Sequence, residues 1–99
     1  MAKKVFVQVR VEILDGRRSP LAVFPGIRGS RTLPRSCEAY SSREGHVPVD
    51  PDWVFSNTRH ATDEETQEML KRLRNLGYAC LAPIKRIFPH HWWFSGDKS

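Results

Sequence analysis

The chain has 99 residues, 39% of them hydrophobic and 27% charged, with a formal net charge of +5. That length allows one domain around one modest core and excludes a multidomain architecture; the composition excludes a disordered chain. No run approaches the roughly 18 apolar residues that span a bilayer, so no membrane partner is expected.

Met1-Ala2-Lys3-Lys4 opens like the basic start of a secretory signal, but an alternating, charged segment follows in place of an apolar one,. A cytoplasmic location is therefore expected. Cys37 and Cys80 stand apart with no partner motif around them, and they read as free thiols of a reducing compartment.

Residues 4–14 form the clearest strand. Val5, Val7, Val9, Val11 and Ile13 share one face, and Gln8, Arg10 and Glu12 share the other,. Asp15-Gly16 supplies a turn. Leu21–Phe24 is a second strand that returns as a hairpin, and its flanking Pro20 and Pro25 predict a sheet edge, because proline cannot donate to a ladder. Residues 26–60 read mainly as loop, with His46–Val49 and Trp53–Phe55 as strand candidates,.

Residues 62–76 are a helix. Thr62 and Glu65 make a capping box, Asp63, Glu64 and Glu65 fill the first turn, and Lys71, Arg72 and Arg74 fill the last,. Gly77 closes it. Met69, Leu70, Leu73 and Leu76 are its buried stripe, and Glu68 is spaced to pair with Arg72. Tyr78–Ala82 reads as a strand, Ile84–Phe88 as a strand or a single turn, His90–Phe94 as extended, and 95–99 as a frayed tail. The expected fold is a single α+β domain over 1–94: a small two-layer structure, mostly antiparallel sheet, with the helix 62–76 on one face. The other face is expected to be open to a partner or a second copy.

The charge is unevenly spread. Residues 1–45 carry nine Lys or Arg against four acids, whereas 46–99 carry seven of each sign. Arg17, Arg18, Arg28, Arg31 and Arg35 follow one another without a Lys or an acid between them. Each guanidinium can fork onto a phosphate, and Gly16, Gly26 and Gly29 let backbone come close. No helix-turn-helix pattern, RNP signature, glycine loop between helices or zinc-finger spacing accompanies them. The bland alternative is a solvated loop pairing with Glu12, Glu38 or Glu44. Dipole complementarity and Glu68 account for the helix basics.

At the C-terminal end, adjacent His90 and His91 point to opposite sides of a strand, which argues against a shared metal. Trp92, Trp93 and Phe94 read either as core cover or as an exposed interface patch. Asp50-Pro51-Asp52 reads as the lead-in to an element. His46 and His60, with Arg43 and Arg59, are the grouping closest to a ribonuclease site,. No acyl-transfer, nucleotide-binding or dinucleotide motif is present, and no cofactor is implied.

The first reading is a non-catalytic module that binds a negatively charged partner through an Arg-rich loop of Arg17, Arg18, Arg28, Arg31 and Arg35, nucleic acid ahead of an acidic protein surface. The second is a protein-interaction or inhibitor module, homodimeric through the open sheet face and Trp92, Trp93 and Phe94. The third is a small ribonuclease.

Overall fold

The computed structural model describes residues 4–93; Phe94 and the tail 95–99 lie outside them. Strand β1 spans Val5–Leu14 and turns at Asp15-Gly16 into β2, Arg17–Arg28. The two pair antiparallel from Gln8↔Val23 to Leu14↔Arg17, as the alternating pattern predicts,. β3 (Cys37–Ser41) and β4 (Gly45–Val49) add antiparallel to the far side of β2. The sheet order is β4-β3-β2-β1-β5, where β5 is Thr58–His60. A short β6, Leu81–Pro83, pairs parallel with the start of β1. The fold is α+β, a mostly antiparallel sheet with one main helix packed on it.

That helix, α2 (Asp63–Asn75), has the predicted capping box: Thr62 Oγ1 accepts from the Glu65 backbone N–H, and Glu65 accepts from that of Thr62. Gly77 sits at φ +111°, the left-handed conformation that ends a helix without steric cost,. Met69, Leu70 and Leu73 pack on Val7, Val9, Ala22 and Phe24. Leu76, at the end of the stripe, is exposed. The valine face of β1 therefore meets the helix, except that Ile13 is exposed near the hairpin.

The structure corrects several local expectations. Tyr78–Ala82, read as a strand, is strand only from Leu81, and β6 continues through Pro83. β2 is a central strand, not an edge. Its prolines fit because Pro20 lies one residue beyond the last β3 partner, Leu21↔Ser41, and Pro25 falls in an irregularity between Phe24 and Arg28, past the β1 ladder,. Trp53–Phe55 is helical. Asp50 caps a short helix α1 (Pro51–Asn57), its carboxylate accepting from Asp52 N at 2.8 Å, with Pro51 in the first turn,. These start signals outweigh the strand preference of Trp, Val and Phe. Cys37–Ser41, read as loop, is a strand. Ile84–Phe88 is neither strand nor helix. Pro89–His91 is a 3-10 turn, not an extended segment.

The second face of the sheet is not open. Leu21, Val23, Cys37, Ala39 and Val49 are covered there by Val54 of α1 and by Ile87, Trp92 and Trp93 of the C-terminal segment. This cover also explains why two polar residues of β1 are buried. Gln8 donates from Nε2 to Lys85 O at 2.7 Å. Arg10 donates to the hydroxyl and carbonyl of Thr58 and lies 5.2 Å from the Phe55 ring. Thr58 passes the contact on, donating its hydroxyl to Val54 O at the end of α1. Arg10 thus fastens α1 to the sheet.

Candidate functional site

β2 separates the five arginines. Arg17 and Arg18 open the strand and Arg28 closes it. Twelve residues of strand span roughly 36 Å between them, close to the longest dimension of the molecule, 41 Å. Arg31 and Arg35 belong to the loop that follows Arg28. The single Arg-rich loop of the sequence is therefore two sites at opposite ends of the sheet.

The hairpin end is flanked by acids. Arg18, paired opposite Ile13, faces α2 and lies 3.7 Å from Glu65. The groove around it is lined by Asp63, Glu64, Glu65 and Glu68. Glu65 is also gripped by both terminal nitrogens of Arg59, at 3.0 Å each. That fork, with the backbone N–H of Thr62, pushes the Glu65 carboxyl down to about 2. On the opposite face, Arg43 in the β3–β4 turn shares a cleft with Glu12, Glu44 and Asp50. The field of Arg18 is spent locally, whereas its neighbour Arg17 has no ion pair among the described residues.

The other end is built differently. The loop 29–36 is closed by Gly29 N–H donating to Ser36 O at 2.9 Å. The Ser36 hydroxyl accepts from Ser30 N–H at 2.9 Å and donates to Ser30 O at 3.2 Å. Only glycine fits at 29, because a Cβ there meets Ser36 Oγ at 2.7 Å and Cys37 O at 3.0 Å. A pinned loop thus carries exposed Arg31 and Arg35.

Trp93 braces the base of the same loop. Its indole N–H donates to Ser36 O and its backbone N–H to Pro25 O, each at 2.8 Å, and the Arg28 guanidinium lies 5.1 Å from its ring. Two features distant in sequence, the arginine segment and the C-terminal aromatics, meet here. Trp92 and Trp93 both pack against the sheet, Trp92 edge-on to Phe55. A turn, unlike a strand, puts neighbours on one side. They are anchors of the fold, half-buried, and not a free patch; Phe94 lies outside the described residues.

A further charge pattern is hidden in the balanced second half. Residues 46–68 carry six acids and one Arg, whereas 69–96 carry five Lys or Arg and no acid. The fold sets these blocks apart. The acidic start of α2 lies by the hairpin, at Arg18. Past the basic end of α2, Tyr78 stacks on Phe24 at 5.2 Å, and Cys80 O accepts from Val5 N–H where β1 begins. Lys71, Arg72 and Arg74 therefore lie toward the end that holds Arg28, Arg31 and Arg35. Lys85 and Arg86, which the sequence reading passed over, follow β6; the signal was the acid-free run itself.

His46 and His60 do not form a pair. They stand on β4 and β5, the two ends of the sheet order, four strand spacings or roughly 19 Å apart,. His46 instead bonds the Tyr78 hydroxyl at 2.8 Å. Among the described residues no three His, Cys, Asp or Glu are grouped to hold a metal ion, and no helix is long and apolar enough to cross a membrane. Both cysteines are free, and burial pushes the Cys37 thiol up to about 12, so it is unreactive at neutral pH,. No protein-family model, curated protein or solved structure matches the chain.

Proposed function

We propose that this protein is a small binding module for nucleic acid, and that it contacts phosphates with the end of the sheet bearing Arg28, Arg31 and Arg35. The observation that carries the reading is the separation of charge along the strands. Arg18 stands among carboxylates, while Arg28 and Arg31 have no carboxylate partner among the described residues. Arg28 is already ordered on Trp93, so less side-chain freedom is lost when it binds. Such contacts position a nucleic acid and read no bases. Each neutralised phosphate releases counterions, so binding weakens steeply with salt.

The test is fluorescence anisotropy with labelled RNA and DNA, single-stranded and duplex, at low salt. The reading expects binding at 50 mM salt, roughly the regime where about five phosphate contacts are strong. It expects Arg28→Ser with Arg31→Ser to weaken binding far more than Arg17→Ser with Arg18→Ser. Absence of binding to every probe at that salt sinks the reading and leaves an acidic protein surface as the partner to pursue.

A further inference from the structure

The C-terminal segment carries a second feature at the surface. Phe88 is 50% exposed, although Ile87 before it packs against the sheet. Its ring is near-parallel to that of exposed His90, at 6° and 6.1 Å between centroids. The turn beneath is held rigid. His91 N–H donates to Phe88 O, and Phe88 N–H donates to His91 Nδ1, both at 2.9 Å. His91 itself is buried and packs 4.7 Å from the Phe6 ring. Lys85 and Arg86 come just before, and these side chains line a shallow depression of about 600 Å³ with Ile84.

We infer that the Phe88–His90 face is a stacking seat for an unpaired base of a single-stranded nucleic acid, with Lys85 and Arg86 contacting the flanking phosphates. The inference rests on the nucleic-acid reading above and narrows its substrate class. Every base has a π-face, so an exposed, rigid, near-parallel pair of rings is a sequence-tolerant platform. Charge selects the occupant: the depression itself is lined by Lys85 and Arg86 and by no acid, and the acid that shares a groove with them, Asp63, lies in the adjoining one,. A duplex is excluded because its base faces are already stacked. The seat is also continuous with the phosphate-binding end. His91 O lies 3.7 Å from where a Gly26 Cβ would be, and Trp93, two residues on, holds Arg28.

The experiment compares an unstructured labelled oligothymidylate with a duplex of equal length at low salt. Wild type, Phe88→Leu, Phe88→Tyr and the Arg28→Ser/Arg31→Ser double variant are titrated. Leucine keeps apolar bulk and loses the ring. The expected result is a roughly tenfold loss of single-strand affinity in Phe88→Leu, the size of one lost base stack. Duplex affinity stays within twofold of wild type, Phe88→Tyr restores single-strand binding, and the double variant weakens both probes. Independently of any variant, the Phe88 ring resonances of the wild-type protein should move upfield on adding the oligothymidylate. Equal effects of Phe88→Leu on both probes, no effect, or unmoved ring resonances overturn the seat while leaving the phosphate-binding end standing. A halving of molecular mass in Phe88→Leu without strand selectivity assigns the face to a second copy of the chain and overturns it too. Failure of the wild type to bind either probe removes both readings.

Discussion

The two ends of the sheet carry similar numbers of arginines and differ in what surrounds them. At the hairpin end, Arg18 and Arg59 converge on Glu65, within a groove of four acids. At the loop end, Arg28 lies over an indole and the next arginines project from a loop closed on Ser36. The first arrangement satisfies its charges within the molecule. The second holds Arg28 in place and gives neither Arg28 nor Arg31 a carboxylate among the described residues. A basic residue marks an interface only when the fold has not already given it a carboxylate, and linear charge density does not contain that information.

The largest separation between the ends should come from Trp93→Ala. It removes the brace of the arginine loop, a buried-side hydrogen bond and part of the cover over Val23 and Cys37. A loss of about 3 kcal/mol in chemical denaturation is expected, together with weakened oligonucleotide binding. Stability unchanged within error would show that the C-terminal segment does not hold the loop. Gly29→Ala comes next, at about 2 kcal/mol, because its Cβ overlaps Ser36 Oγ and the strand beyond it cannot yield,. If the alanine variant melts like wild type, the loop is not pinned as described.

At the hairpin end, Thr62→Ala should cost about 1 kcal/mol through loss of the cap and leave nucleic-acid binding unchanged. The two ends also part in acid. Glu65 is held ionised in the fold, down to about 2 against its ordinary 4.5, so its contribution is present above 4.5 and is lost as pH falls toward 2,. His91 is held neutral by burial first and by neighbouring His90 second, below its ordinary 6.5. Its contribution is full above 6.5 and is lost as pH falls below that value. Melting temperature followed against pH should therefore decline in two stages, the upper one vanishing in His91→Gln and the lower one shrinking in Glu65→Gln. A single stage below 4.5 in wild type would contradict the role of His91. The smallest expected effect is Arg18→Ser, an exposed pair partner worth about 0.5 kcal/mol or less.

Much of the scaffold was legible in the residues. The valine alternation of β1, the Asp15-Gly16 turn and the capping box of α2 each state their structure locally, and the β1–β2 hairpin and the helix form where the pattern puts them. Short elements whose stability is tertiary were not legible. Cys37–Ser41 is a strand because β2 and β4 lie on either side of it. Trp53–Phe55 went astray because three strand-formers hid a proline-led cap. The candidate site was half legible: the arginines were visible, but their division by a twelve-residue strand required knowing that β2 runs through both prolines. Trp93 and Phe88 drew meaning only from partners far away in sequence, Ser36 and the basic run before the turn.

The most direct test of the divided-charge account is the slope of log affinity against log salt for a single-stranded probe, measured on wild type, Arg17→Ser/Arg18→Ser and Arg28→Ser/Arg31→Ser. Two lost phosphate contacts on a single strand should flatten the slope by about 1.4. The account predicts that flattening for the Arg28/Arg31 variant and a slope unchanged from wild type for the Arg17/Arg18 variant. Equal flattening in both variants, or flattening in the hairpin variant alone, would contradict it.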